Sequence, residues 1–117
     1  MNKSLIKYSL ISYFFFVTLV IESEIMLNKD DKLIMPLPMP YDGIIYTAKD
    51  LNDFINETIR SDKQPILIFG ANWCPDCRIF SGTINIPKVN AYIKMHYKIL
   101  YIDVKRYEVN MQLMEEY

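Results

Sequence analysis

The chain has 117 residues, enough for one domain and no more. Its 13 Lys and Arg stand against 14 Asp and Glu, a balance that leaves no cationic surplus for nucleic acid or another polyanion. No Ser/His/Asp set, paired carboxylates on one face or phosphate-cradling glycine loop points to a hydrolase.

Residues 1–23 read as an export segment. Lys3 and Lys7 precede the uncharged run Tyr8–Ile21, which has the length of a signal-peptide core and falls short of the ~20 residues of a membrane-spanning helix. Phe14-Phe15-Phe16-Val17 shows no polar face at helical period, which argues against a buried core helix. Two fates stay open: cleavage near Ser23, where Ile21 is a poor partner for an Ala-x-Ala-like site, and retention as an inner-membrane anchor through residues 8–21. No cysteine follows the run, so a lipoprotein anchor is excluded. On either reading the domain is exported, periplasmic or otherwise extracytoplasmic.

Residues 24–42 are polar and charged, then proline-rich. Proline at every second position in Met35-Pro36-Leu37-Pro38-Met39-Pro40 forbids helix and favours polyproline II, the pattern of a stiff linker. The domain is expected over residues 43–117. Ile44-Ile45-Tyr46 is a short strand candidate. Thr47 with Asp50 three residues on is a capping-box-like start for a helix from Ala48 to Arg60, whose apolar face carries Leu51, Phe54, Ile55, Thr58 and Ile59. Pro65 to Gly70 is apolar on both faces, as a central or parallel strand is.

Trp73-Cys74-Pro75-Asp76-Cys77 follows that strand at once and holds both cysteines of the chain. Helical residues three apart lie ~5–6 Å from each other, within the ~4.4–6.8 Å that a disulfide spans. A thiol at a helix start faces unpaired N–H groups and the positive end of the dipole, which favour its thiolate. The spacing and position are those of a dithiol–disulfide exchanger. As a structural staple the bridge would be weak, because so short a loop restrains the unfolded chain little. A helix from Cys74 to Thr83 is expected, then a second from Pro87 to Met95 with Val89, Tyr92 and Ile93 inward. A strand over Tyr97–Val104 and a helix over Val109–Tyr117 complete a β-α-β-α-β-α order, in which the two long strands pair in parallel.

The segment Phe69-Gly70-Ala71-Asn72-Trp73-Cys74-Pro75-Asp76-Cys77-Arg78 resembles the active-site segment of the thioredoxin superfamily, in the members that carry Trp-Cys-Pro-Asp-Cys. Tyr101-Ile102-Asp103-Val104 is similar to the strand that follows it there. The resemblance implies a three-layer α/β/α fold and a catalytic pair in which Cys74 attacks and Cys77 resolves. It implies protein disulfides or dithiols and a redox partner protein as partners, and no cofactor. Trp73, Pro75, Asp76 and Arg78 become substrate contacts or groups that tune the thiol; Asp76 would oppose a thiolate and Arg78 favour it. Two positions depart from the family. Ile68 stands where typical thioredoxins bury an acid that assists the resolving cysteine, and no proline follows Pro87 to supply the substrate-docking cis-proline loop. By the same comparison the chain is expected to lack the C-terminal hairpin and last helix, as a truncated form or fragment would. Its strand at 66–70 would then keep a hydrophobic edge open to self-association.

Two other readings stand beside the oxidoreductase. One is an inactive remnant that keeps the dithiol without its docking surface. The other is a Cu(I)-binding module using the two thiolates, which soft metals favour. Four-ligand zinc is not expected, since His96 is placed at the far end of a helical stretch, and Arg78 stands where covalent haem attachment needs histidine.

Overall fold

Thr47 starts the first helix of the computed structural model, which describes residues 24–117, by closing a capping box. Its Oγ1 accepts the Asp50 N–H at 3.2 Å, and its own N–H donates to Asp50 Oδ2 at 2.7 Å. The expected export segment at residues 1–23 lies outside the described residues. Helix α1 spans Ala48–Arg60, as its apolar spacing predicts, with Leu51 and Thr58 fully buried and Ile59 turned to solvent. Strand β1 (Gln64–Gly70) follows, then helices α2 (Pro75–Ile84) and α3 (Pro87–His96), strand β2 (Tyr97–Asp103) and helix α4 (Met111–Glu116).

β1 and β2 pair in parallel, in register from Gln64 opposite Tyr97 to Gly70 opposite Asp103. Alternation along the strands separates two faces. Leu67, Phe69, Leu100 and Ile102 point to one side, where Leu51 of α1 and Leu113 of α4 complete the core. Tyr101 points to the other, towards α2, where its hydroxyl meets Ser81 Oγ at 3.2 Å. Helices on both faces of the sheet give the three-layer α/β/α arrangement.

The expected strand at Ile44-Ile45-Tyr46 does not form. One buried side chain, Asn110, takes the backbone groups that a ladder would use. Its Oδ1 accepts the Tyr46 N–H and its Nδ2 donates to the Ile44 carbonyl, both at 2.9 Å, and to the Asp103 carbonyl at 2.8 Å. Ile44 and Ile45 are left exposed. The segment is thus tied to the end of β2 by an amide rather than by strand pairing.

The proline-rich stretch, expected to act as a linker, is folded back on α2. Arg78 Nη2 donates to the Leu37 carbonyl at 2.9 Å and its Nε to the Pro38 carbonyl at 3.2 Å. Leu33, Leu37 and Pro38 cover Gly82, where a methyl group would sit 3.0 Å from Leu37 Cδ2. The strap ends at Tyr41, which is 4% exposed. Asn72 pins that end: Tyr41 N–H donates to Asn72 Oδ1 at 3.1 Å, and Asn72 Nδ2 donates to the Tyr41 carbonyl at 2.7 Å.

Candidate functional site

The chain leaves β1 at Gly70, turns through Ala71-Asn72-Trp73 and enters α2 with Cys74 as the N-cap. The Cys74 N–H donates to the Ala71 carbonyl at 3.1 Å, which closes the turn and sets an extended backbone at Cys74 (φ −81°, ψ 114°). Pro75 occupies the first helical position, where a missing N–H leaves no bond unmade. Cys74 Sγ then takes the part that a Ser or Asp oxygen plays at other helix starts, accepting the Cys77 N–H at 3.3 Å.

These contacts fix the electrostatics of the pair. The Cys77 thiol and the Cys77 and Asp76 N–H groups stabilise charge on the Cys74 sulfur and hold its pKa below the ordinary thiol value, against desolvation and, to a smaller extent, the Asp76 carboxylate. Cys77 goes the other way. Burial, followed by the neighbouring Cys74 sulfur, pushes its thiol up, partly offset by the Ala71 backbone and the Tyr41 hydroxyl. One sulfur is therefore set to attack and the other to stay protonated until needed.

Trp73 is half exposed. Its indole N–H donates to the Lys105 carbonyl at 2.7 Å, and the Arg106 guanidinium carbon lies 5.4 Å from its ring centroid. It is thus fastened to the loop after β2 and keeps an open face beside the sulfurs. Asp76 is exposed on the first turn. Arg78, expected to favour the thiolate, is turned to the strap by its two carbonyl bonds and acts as a structural clasp instead. Ile68 is half-buried, in register with Tyr101, and brings no acid to the site. A cleft of about 240 Å³ holds both sulfurs between Phe69, Trp73, Val104, Tyr107 and Met114.

Sequence reasoning passed over Tyr41. Its ring stacks edge-on to Tyr101 with centroids 5.4 Å apart. A methyl group on Gly70 would fall 2.7 Å from Tyr41 Cζ and 2.9 Å from Cys77 Sγ, so the phenol and the inner sulfur share the space above that glycine. No local pattern marks it, because the residue that pins it, Asn72, lies 31 positions further along the chain.

Parallel strands joined through two helices, with a Cys-x-x-Cys at the N-terminus of the first, define a thioredoxin-like α/β fold. A crystal structure of a disulphide isomerase from Xylella fastidiosa Temecula1 is similar to this chain, at 32% identity and a TM-score of 0.62. The match covers 69% of this chain and 62% of that one, so the chain spans less than two thirds of its relative's length. No protein-family model matches, and no curated protein sequence does.

Proposed function

We propose that this protein is an extracytoplasmic thiol–disulfide oxidoreductase that exchanges two electrons between the Cys74/Cys77 pair and protein disulfides or dithiols. The observation that carries the proposal is the asymmetry of the pair at the start of α2: Cys74 Sγ receives N–H groups and is shifted towards thiolate, while Cys77 is shifted towards thiol. The likeness to a disulphide isomerase structure supports the same chemistry.

In the reducing direction the Cys74 thiolate attacks one sulfur of a substrate disulfide. A Cys74–substrate bond forms, the substrate S–S bond breaks, and the other half leaves as a thiolate. Cys77 gives its proton to that thiolate and attacks Cys74 Sγ. The intramolecular disulfide forms and the second substrate thiolate departs, two electrons having passed to the substrate. A redox partner protein returns the pair to its starting state. The half-exposed Trp73, beside the cleft, is the surface on which a substrate chain rests.

Insulin reduction by the wild type, by Cys74→Ser and by Cys77→Ser tests this reading. Turnover is expected to vanish in both variants, and Cys77→Ser is expected to accumulate a mixed disulfide visible by non-reducing electrophoresis. Equal rates in wild type and Cys74→Ser would end the proposal. Location rests on the basic-then-apolar pattern of residues 1–21. Alkaline phosphatase fused after Asp42 is expected to be active in cells, and an inactive fusion would place the domain inside.

A further inference from the structure

Tyr41 carries a hydroxyl that is fully buried and, among the described residues, has no hydrogen-bond partner. An orphaned polar group of this kind is uncommon in a folded interior and calls for an explanation. Its surroundings supply one. The phenol and Cys77 Sγ both lie over Gly70, so close that a single methyl group there would strike each of them. The strap and Asn72 hold Tyr41 in that position from the backbone, through reciprocal bonds of 3.1 and 2.7 Å. Resting on the thiol–disulfide reading above, we propose that Tyr41 is a catalytic residue of the resolving half-reaction, donating a hydrogen bond to the Cys77 thiolate.

A thiol sulfur is a weak acceptor and a thiolate a strong one, so the hydroxyl has little to bind while Cys77 is protonated and a good partner once it is charged. A donor fixed in place before the charge appears needs no reorganisation when it does. Tyr41 acts as donor and not as base. The Cys77 proton passes to the departing substrate thiolate, the S–S bond forms to Cys74, and Tyr41 keeps its own proton throughout. Burial and the neighbouring sulfurs raise the phenol's pKa, which keeps that proton on at neutral pH. The groups facing Cys77 are Cys74 from its own helix and Tyr41 from the strap, with Tyr101 of β2 behind the phenol.

The test reads Cys77 alone. In a Cys74→Ser background, the rate of Cys77 alkylation by iodoacetamide is followed by mass spectrometry from pH 6 to 11, with Tyr41 and with Tyr41→Phe. Loss of the hydroxyl is expected to move the alkylation midpoint up by about one pH unit or more, roughly a tenfold drop in thiolate at a given pH. An unchanged midpoint overturns the proposal. Where Tyr41→Phe does not fold, as judged by circular dichroism, 3-fluorotyrosine placed at position 41 keeps the ring and strengthens the donor. The midpoint is then expected to fall, and a midpoint that holds or rises overturns the proposal. Because the readout needs no turnover, failure here leaves the oxidoreductase reading standing. Wild-type protein that fails to reduce insulin sinks that reading while leaving the Cys77–Tyr41 interaction measurable.

Discussion

At Cys74 two neighbours act on one sulfur with opposite sign: the Cys77 residue stabilises the thiolate and the Asp76 carboxylate opposes it. The net direction is downward, so the thiolate is populated at lower pH than in a free cysteine and is lost as pH falls through the depressed pKa. Alkylation of Cys74 in a Cys77→Ala variant, compared with wild type, separates the two contributions. Without the Cys77 thiol the midpoint is expected to rise, since that thiol is the largest stabilising influence. Asp76→Asn is expected to lower it and to speed alkylation at pH 7, since removing a nearby negative charge favours the thiolate. Slower alkylation of Asp76→Asn would contradict the assignment. Gly70 makes a steric demand at the same site. Gly70→Ala would place a methyl group 2.9 Å from Cys77 Sγ and closer still to the phenol, inside any normal contact. Because Tyr41 is boxed in by the strap and Tyr101, the substitution is expected to cost about 1–3 kcal/mol in urea unfolding. It is also expected to shift the Cys77 alkylation midpoint by displacing Tyr41.

The elements show where local sequence speaks and where it falls silent. The α1 boundaries were readable because capping is local: Thr47 and Asp50 are three residues apart, and the box forms as their spacing requires. The Cys-x-x-Cys at the α2 start was readable for the same reason, as was the parallel pair β1–β2 from its double-sided apolar runs and helical crossover. Three features depend on partners far along the chain and left no local trace. Asn110 reaches back 64 and 66 residues to Tyr46 and Ile44, which is why a short apolar run resembling a strand is held without one. Arg78 reaches back 40 and 41 residues to the strap, which removes it from the thiol it adjoins in sequence. Tyr41 and Asn72 are 31 apart. Asn110 also sits at φ 57°, in the left-handed region that Asn tolerates better than most residues. Asn110→Ala is therefore expected to lose three buried hydrogen bonds and to strain the backbone, a cost of about 2–4 kcal/mol in chemical denaturation. Asn110→Gly relieves the strain and should cost less than Asn110→Ala. The reverse order would show that the left-handed backbone at this position is not a source of strain.

At the scale of the whole described fold, the sheet is unevenly covered. Among the described residues β1 has a partner on one side only, so its second edge presents unpaired N–H and C=O groups. Beside that edge Ile55, Leu67, Phe69, Met114 and Tyr117 line an apolar hollow of about 430 Å³, with Met114 and Tyr117 each close to half exposed. Pro65 blunts one end of the edge by removing a donor, but Ile66 to Phe69 has no such protection, and no charged residue lies between Pro65 and Gly70. Backbone groups and an apolar surface thus lie together, the combination that favours strand addition over loose hydrophobic contact. The protein prepared without residues 1–23, so that its apolar run does not contribute, is expected to self-associate through this edge. Sedimentation velocity should show species larger than the monomer that grow with protein concentration. Met114→Lys places a charge over the hollow at a position already open to solvent, so it should shift the distribution towards monomer while leaving the melt unchanged. A single monomeric boundary at every wild-type concentration would show that the open edge is not an association surface. Oligomers indifferent to Met114→Lys would place the contact elsewhere on the protein.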